Sequence, residues 1–368
     1  MTAREQEILN IIKENPLISQ QQLANKLQIN RSSVAVHIGN LMKKGYIKGK
    51  GYIVEEEKKV LIIGGANMDL EGSPYDKLKL YDSNPGRIET SQGGVGRNIA
   101  ENLARLSTPT RFLTALGNDL YGDKIFKECQ KQGIDMDHIL HSKAYPTSMY
   151  LALMDENQDM KAAIAQMDIL NLIDPAWLDK KRSLFKDASL ICIDANLTKD
   201  AVEYIVKEAG NTPIFADPVS SSKARAFDNV LGKIHTFKPN RIEAEMLLGM
   251  SLETMEQVRK AGEIFINKGI QQVYISLGQE GVYCLSNDFE GLIKGKPKII
   301  RSSTGAGDAY MAAIIYGYLQ QYSMEKILKF AMGAAFTTLS SDRTIHPNFS
   351  TQEIAQQLEG SEISLTIF

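Results

Sequence analysis

The first 44 residues contain three runs in which apolar side chains recur every three or four positions, as on one face of a helix. Thr2 with Glu5, and Ser19 with Gln22, have the spacing of capping boxes, so they predict where the first two helices begin. A third helix is predicted from Arg31 to Lys44 and ends at Gly45. Its predicted core residues are Val34, Ile38, Leu41 and Met42.

Beyond residue 59 the pattern changes to short, fully apolar runs that alternate with amphipathic segments. The run from Val60 to Gly64 is typical of a buried strand in a parallel sheet. From residue 189 onward, predicted strands and helices alternate, which indicates a doubly wound parallel sheet with right-handed crossovers. The predicted strands are 190–194, 213–217, 234–237 and 272–276, and the predicted helices are 199–209, one after Pro239, 309–319, 324–340 and 352–358.

Two segments do not fit this alternation. Residues 70–92 contain no convincing helix and consist of extended pieces around the turn Asp82–Arg87. Residues 148–166 contain two strand-like runs that are joined by the polar turn Asp155–Asp159. On their own, these runs predict no more than an ordinary edge hairpin.

Composition and charge suggest two modules. The chain has 368 residues, of which 43% are hydrophobic and 23% charged, and no stretch reaches membrane-spanning length, so we expect a cytoplasmic protein without a membrane partner. The three cysteines are far apart in sequence, which favours buried reduced thiols. Residues 1–54 carry eight Lys/Arg against three Glu, whereas the whole chain has a net charge of −2. A basic head therefore precedes an acidic body.

The basic head has the pattern of three helices followed by a hairpin, in which 46–48 and 52–54 are the strand-like runs. It resembles the winged helix-turn-helix DNA-binding domains of bacterial regulators, and the alternative is a small dimerisation or docking domain. The resemblance implies that the third helix and the wing contact DNA, with a homodimer reading two half-sites. The expected DNA-binding residues are Arg31, Ser32, Ser33, His37, Asn40, Lys48 and Lys50. The predicted domains are 1–54, a charged linker 55–59, and 60–368.

A second feature is the segment Thr304-Gly305-Ala306-Gly307-Asp308, which comes directly before an apolar helical run. Backbone N–H groups at a glycine-rich helix start can bind an anion. Asp308 places a carboxylate beside that anion site, where it could accept a proton from a hydroxyl group. The alternative is a glycine-rich turn with an acidic helix start.

Two further segments carry candidate ligand contacts. Asn67 and Asp69 follow the first predicted strand, and their amide and carboxylate suit vicinal sugar hydroxyls. Gly93 and Gly94 open a helix that carries Asn98 in its first turn, so the backbone can approach a ligand closely. The segment lacks the third glycine of a dinucleotide fingerprint.

Residues 93–100, Gly-Gly-Val-Gly-Arg-Asn-Ile-Ala, together with Thr304–Asp308, resemble the two signature motifs of the PfkB/ribokinase family of carbohydrate kinases over roughly residues 60–345. The resemblance implies a ribokinase-like α/β fold with a small β-sheet lid built from about 70–92 and 148–166. It implies that Asp308 is the catalytic base and that Gly305, Ala306 and Gly307 form an anion hole. It also implies that the substrate contacts are Asn67, Asp69, Gly93, Gly94 and Asn98.

The resemblance implies ATP and Mg²⁺ as well. Asn240 and Glu243 match the family's Asn-x-x-Glu motif, which organises Mg²⁺ through water. The alternative is a capped helix start with two surface acids. The residues that it implies at the ATP site are Asn240, Ser276, Gly278 and Gly281. Ser302 and Ser303 stand where many members have Asp-Thr, so a requirement for a monovalent cation such as K⁺ does not carry over from the family.

Within the family, residues 82–86, 93–106, 217–220 and 235–241 look most like the bacterial pseudouridine kinases. The expected activity is therefore ATP-dependent phosphorylation of the 5′-hydroxyl of pseudouridine, with DNA-binding autoregulation. Two alternatives remain open. One is a kinase for another nucleoside or sugar, such as inosine or ribose, and the other is a ligand-sensing transcription regulator on a kinase fold.

Overall fold

The computed structural model describes residues 1–49 and 58–368, and its internal contacts divide the chain into two compact units, 1–58 and 59–368. The expected second strand of the wing, 52–54, and Lys50 lie outside the described residues, as does most of the predicted linker. None of the helices in the described ranges combines the length and the apolar character that a membrane span needs.

The first unit contains three helices: α1 (Ala3–Glu14), α2 (Gln20–Leu27) and α3 (Arg31–Lys43). Both predicted capping boxes are present, because Thr2 and Glu5, and Ser19 and Gln22, exchange the expected hydrogen bonds. Val34, Ile38 and Leu41 are buried in the core of this unit, as predicted, but the placement of Met42 is wrong because 46% of it is exposed. Leu41 already fills the core there, and Met42 lies one position further round the helix.

The second unit contains fifteen strands among residues 58–368. They are β1 (Val60–Ile63), β2 (Asn67–Pro74), β3 (Gly86–Gly93), β4 (Thr110–Leu113), β5 (Ala115–Gly117), β6 (Leu140–Ser142), β7 (Met149–Met154), β8 (Met160–Gln166), β9 (Leu190–Asp194), β10 (Ile214–Asp217), β11 (Thr236–Phe237), β12 (Gln272–Ser276), β13 (Val282–Ser286), β14 (Phe289–Lys296) and β15 (Glu362–Ile367).

The helices of this unit pack on both faces of a large sheet. They are α4 (Val95–Arg105), α5 (Leu120–Lys131), α6 (Pro175–Asp179), α7 (Arg182–Asp187), α8 (Lys199–Glu208), α9 (Arg241–Leu248), α10 (Met255–Asn267), α11 (Ala306–Leu319), α12 (Met324–Leu339) and α13 (Thr351–Glu359). One buried core includes α8 and α10, and the other includes α4, α11 and α12. This two-layer cover explains why β1 and β9 are apolar at nearly every position.

The large sheet has nine strands within the described second unit, in the order β15-β14-β13-β12-β11-β10-β9-β1-β4. The six strands β4, β1, β9, β10, β11 and β12 are parallel, as predicted for all of them except β4, which the sequence prediction does not include. The strands β13, β14 and β15 extend the sheet in antiparallel pairs. These three strands are absent from the sequence prediction. Two of them, β14 and β15, have several exposed or partly exposed positions and so lack the continuous apolar run of a buried parallel strand.

A separate four-stranded sheet forms the lid, in the order β3-β2-β7-β8. The register places Asp69 of β2 opposite both Ser91 of β3 and Tyr150 of β7, so these three side chains share one face. The extended pieces in 70–92 and the hairpin in 148–166 therefore belong to one sheet.

Candidate active site

The polar ends of the parallel strands meet at the carboxyl edge of the large sheet, where open α/β sheets bind ligands. Asp194, at the end of β9, is buried and accepts hydrogen bonds from the backbone N–H groups of Gly65 (2.9 Å) and Gly96 (2.7 Å). It therefore ties the end of β1 to the start of α4. These two hydrogen bonds hold in place the backbone that the diglycine segment approaches and the backbone that follows it.

Asp308 lies in the first turn of α11, and the side-chain amide of Asn98 on α4 donates a hydrogen bond to its Oδ2 atom at 2.7 Å. Burial raises the pKa of Asp308 to about 7, and the neighbouring carboxylate of Asp217 acts in the same direction. The Asn98 hydrogen bond and the ammonium of Lys238 oppose this rise. A carboxyl group with a pKa near neutrality is suited to accept a proton at neutral pH.

The loop before α11 contains Gly305 at the N-cap position of the helix. Gly305 has φ +83°, and a Cβ there would lie 2.2 Å from the carbonyl oxygen of Thr344, so no larger residue fits. The first N–H groups of a helix have no acceptor within it, and they attract negative charge. Lys238 Nζ lies 3.5 Å from where a Cβ on Gly307 would be, and 3.0 Å from Asp217 Oδ2. The loop and this ammonium together suit a phosphate group.

Asn67 and Asp69 are joined, since the Asn67 amide donates to Asp69 Oδ1 at 2.6 Å. A Cβ on Gly93 would lie 2.2 Å from Asp69 Oδ2, and Gly94 has φ +100° with a Cβ position 2.5 Å from the Gly65 carbonyl oxygen. Gly94 is therefore required where the segment approaches the backbone between β1 and β2, and Gly93 leaves room for the Asp69 carboxylate. Burial raises the pKa of Asp69, although the Asn67 hydrogen bond opposes this.

A cavity of about 690 Å³ lies between the lid, α4, α5 and the segment 342–347. Asp69 and Tyr150 line it from the shared lid face, and Arg97 and Glu101 line it from α4. Its volume is in the range of small-molecule binding sites.

The predicted ATP and metal residues lie around the ends of β11 and β12. Asn240 and Glu243 form a capping box at the start of α9, in which Glu243 accepts from the Asn240 backbone and side chain, each at 2.8 Å. Burial raises the pKa of Glu243 to about 6, and Asp217 adds to the rise. The Ser276 N–H donates to the Pro239 carbonyl at 3.0 Å, which places Ser276 beside Asn240.

The two predicted glycines after Ser276 differ in their surroundings. A Cβ on Gly281 would lie 2.0 Å from the carbonyl oxygen of Ile293, so this glycine is required by the hairpin of β13 and β14. A Cβ on Gly278 would meet nothing within 4 Å. Among the described residues, no hydrogen bond joins Asn240, Ser276, Gly278 or Gly281 to Asp308.

Two residues that contact this site are not among the expected catalytic, substrate or ATP residues, although Lys238 directly follows the predicted strand 234–237. Arg97 is buried on α4 between the diglycine segment and Asn98. Lys238 is buried beside Gly307, in the glycine-rich segment at the start of α11. Their sequence signals are weak, because each is one basic residue next to a motif, and a basic residue is usually exposed.

The expected DNA-contacting residues lie on α3 and just after it. Arg31, Ser32 and Lys48 are exposed, and Ser33, His37 and Asn40 are partly exposed. The side chains on this helix that are buried face the core of the first unit, so the polar ones occupy its other faces.

Comparison with known families identifies both parts of the chain. Residues 57–351 match the pfkB family carbohydrate kinase, and residues 1–48 match the winged helix-turn-helix DNA-binding family. The chain therefore belongs to the PfkB family of carbohydrate kinases. The prediction of this family, and of a winged helix-turn-helix domain before it, is confirmed.

Two curated relatives come from Escherichia coli (strain K12). The chain is 36% identical to the uncharacterized sugar kinase YeiI over 95% of this chain and 97% of the relative. It is also 36% identical to a pseudouridine kinase over 84% of this chain and 99% of the relative. These equal identities support a sugar or nucleoside kinase without specifying the substrate.

Solved structures confirm the predicted ribokinase-like fold. A candidate sugar kinase from Clostridium perfringens has a TM-score of 0.76 and 34% identity, covering 85% of this chain and 99% of that one. A ribokinase from Arabidopsis thaliana, solved with ribose and ATP, has a TM-score of 0.73 and 22% identity, covering 83% and 99%. The latter supports the fold alone.

Proposed function

We propose that this protein transfers the γ-phosphoryl group of ATP to the 5′-hydroxyl of pseudouridine. The observation that carries the proposal is Asp308, a carboxyl group with a pKa raised to about 7 that lies at the glycine-rich start of α11 and is held by Asn98. The pseudouridine assignment draws on the E. coli relative of that activity and on the motif segments that resemble this group.

In the proposed reaction, Asp308 accepts the proton of the 5′-hydroxyl as that oxygen attacks the γ-phosphorus. The new P–O bond forms while the bond to the β-phosphate oxygen breaks, and ADP leaves with that electron pair. The N–H groups of Gly305, Ala306 and Gly307 stabilise the charge on the phosphoryl oxygens. Asn67, Asp69, Gly93, Gly94 and Asn98 hold the ribose.

ATP would lie along the edge formed by Asn240, Ser276, Gly278 and Gly281. Both carboxylate oxygens of Glu243 already accept hydrogen bonds from Asn240, and the described residues contain no group of three or more His, Cys, Asp or Glu arranged to hold a metal. This donor set fits Mg²⁺ that is held by phosphates and water, with Asn240 and Glu243 contacting its water. When bound, Mg²⁺ supplies charge neutralisation on the phosphates.

The proposal is tested by an ATP-consumption screen over pseudouridine, uridine, inosine, ribose and fructose 6-phosphate. We expect the highest kcat/KM for pseudouridine, with pseudouridine 5′-phosphate as the product. Turnover with inosine or ribose and none with pseudouridine would instead support the alternative of a kinase for another nucleoside or sugar. Turnover of none of the five would favour the ligand-sensing regulator.

We further propose that the winged helix-turn-helix unit binds DNA as a homodimer and regulates expression of its own gene. The support is the match of residues 1–48 to a DNA-binding family and the exposed polar side chains Arg31 and Ser32 at the start of α3. One recognition helix covers a single half-site, so two copies are needed for a two-fold operator.

A further inference from the structure

Arg97 is a buried cation in the first turn of α4, with 6% of its surface exposed. A buried guanidinium is unfavourable unless it is paired and hydrogen-bonded. Its NH2 group pairs with Glu101 one turn later on the same helix. Its NH1 group donates to two acceptors, the backbone carbonyl of Gln92 at 3.0 Å and the side-chain Oδ1 of Asn98 at 3.1 Å.

The bond to Asn98 determines which way that amide faces. An asparagine side chain has a carbonyl oxygen that accepts and an NH₂ group that donates. In the observed arrangement, Oδ1 accepts from Arg97 and Nδ2 donates to Asp308 at 2.7 Å. Rotating the amide by half a turn would place two donors face to face at Arg97 and two acceptors face to face at Asp308. Only the observed orientation of the amide satisfies both contacts.

The bond to Gln92 ties the same guanidinium to the lid. Gln92 lies in β3 directly before Gly93, and its register partner is Met68, between Asn67 and Asp69. Arg97 therefore contacts the strand end that leads into the diglycine segment, and its charge acts on Asp69 as well.

We propose that Arg97 is a positioning residue that holds the Asn98 amide in the orientation that donates to Asp308. The inference rests on the proposed function, because it assumes that Asp308 is the base. Arg97 does not contact the reacting atoms in this arrangement, so its effect on turnover passes through Asn98.

The proposal has a pH signature. The charged groups that face Asp308 are Asp217 at the end of β10, Asp194 at the end of β9 and Lys238 after β11. Those that face Arg97 are Glu101 and Asp69, with the thiol of Cys129 from α5, whose pKa burial raises to about 11. If Asn98 no longer donates, Asp308 loses a contact that stabilises its charged form, and the acidic limb of activity moves to higher pH.

The experiment is a double-mutant cycle of Arg97→Met and Asn98→Ala in the full chain, with pseudouridine and ATP. We expect Arg97→Met to lower kcat by up to about a hundredfold, as small misplacements of a catalytic group do. It should also raise the pH of the acidic limb by about one unit. In the Asn98→Ala background, Arg97→Met should have little further effect on kcat. An equal loss in both backgrounds, or an unmoved limb in a folded variant, overturns the proposal.

Arg105→Met is the matched control, because Arg105 also pairs with Glu101 but makes no contact with Asn98. In Arg105→Met, the acidic limb of the pH–activity profile should lie at the same pH as in the wild type. If Arg97→Met does not fold, Arg97→Lys replaces it in the double-mutant cycle. Lysine keeps the charge beside Glu101, but its single ammonium lacks the planar fork that reaches Gln92, Asn98 and Glu101 together. We expect it to show a smaller defect of the same kind. If Asp308→Asn retains normal turnover, the proposed function fails instead.

Discussion

Asp308 is subject to burial, two neighbouring carboxylates, one ammonium and one amide donor, and these act in opposite directions on its affinity for a proton. As the proposed base, it is active only when it is deprotonated. We therefore expect kcat/KM to fall on the acidic side with an apparent pKa of about 7. The measurement is a pH profile of kcat/KM at saturating ATP.

A variant of a second carboxyl group tests whether the acidic fall of kcat/KM belongs to Asp308. The pKa of Glu243 is raised to about 6, so a limb near 7 should remain in Glu243→Gln, even if its turnover is lower. A profile that is flat from about pH 5.5 to about pH 8 would contradict the role of Asp308.

Replacing Asp308 by Asn should remove the proton acceptor and keep the shape of the side chain. We expect kcat to fall by roughly two to four orders of magnitude, while ATP binding changes little, because general-base catalysis contributes about that much. Steady-state kinetics and calorimetric titration with ATP measure the two quantities. Near-normal kcat would show that another group is the base.

The same substitution should change stability in a pH-dependent way. The folded pKa of Asp308 lies above its ordinary value, so its charged form destabilises the folded state above about pH 7, and this penalty fades as the pH falls toward 4. Asp308→Asn should therefore raise the thermal midpoint at pH 8 and have little effect near pH 4. Melting curves at both pH values test this, and a lower midpoint at pH 8 would contradict it.

At the scale of elements, capped helices and buried parallel strands were predictable from local chemistry. The capping boxes of α1 and α2 and the strand β12 lie where their residues indicated. The antiparallel strands β13, β14 and β15 were not, because the propensity of a strand depends on its neighbours in the sheet as well as on its own pattern. In the site, motif residues were identifiable, whereas the pairing of Lys238 with Asp217 joins the ends of two different strands. The contacts of Arg97 lie within a few residues of it in sequence, but a single basic residue beside a motif does not indicate that it is buried.

The lid offers a prediction about substrate specificity. Tyr150 shares a face with Asp69 and lines the cavity. If the proposed function holds, we expect its ring to stack on the nucleobase. We expect Tyr150→Ala to raise KM for the nucleoside about three- to tenfold, as the loss of an aromatic contact does, and to leave KM for ribose unchanged. Tyr150→Phe is the control and should behave like the wild type. Equal effects on nucleoside and ribose would show that Tyr150 serves the lid alone.

Residues 301–304, before α11, and the segment 340–347 determine whether we expect activation by a monovalent cation. Ser302 Oγ accepts a hydrogen bond from the Thr304 N–H at 3.2 Å, and Arg301 pairs with Asp342 at 3.0 Å. Hydroxyl groups at 302 and 303 carry no charge to balance a bound monovalent cation. We therefore expect equal kcat in potassium and tetramethylammonium salts of equal ionic strength. A severalfold activation by potassium would contradict this.

At the scale of the whole molecule, the two units have separate hydrophobic cores. The DNA binding proposed for the first unit can therefore be tested by substitutions in that unit alone. If the α3 surface binds DNA, its cations replace counterions on the phosphates, and binding weakens as salt rises. Arg31→Ala removes an exposed charge at the start of α3, so it should weaken binding and reduce the salt slope by about one. Lys13→Ala removes an equal charge from α1 and should leave the slope unchanged.

The DNA probe is the segment directly upstream of the protein's own coding sequence, with an unrelated duplex of the same length as the reference. The full chain should bind the upstream segment more tightly, since autoregulation requires a difference between the two. Equal binding of both duplexes by wild type and Arg31→Ala would leave only nonspecific attraction to phosphate. Absence of binding at low salt would instead assign the basic unit to docking or dimerisation, which sedimentation of the full chain would then detect.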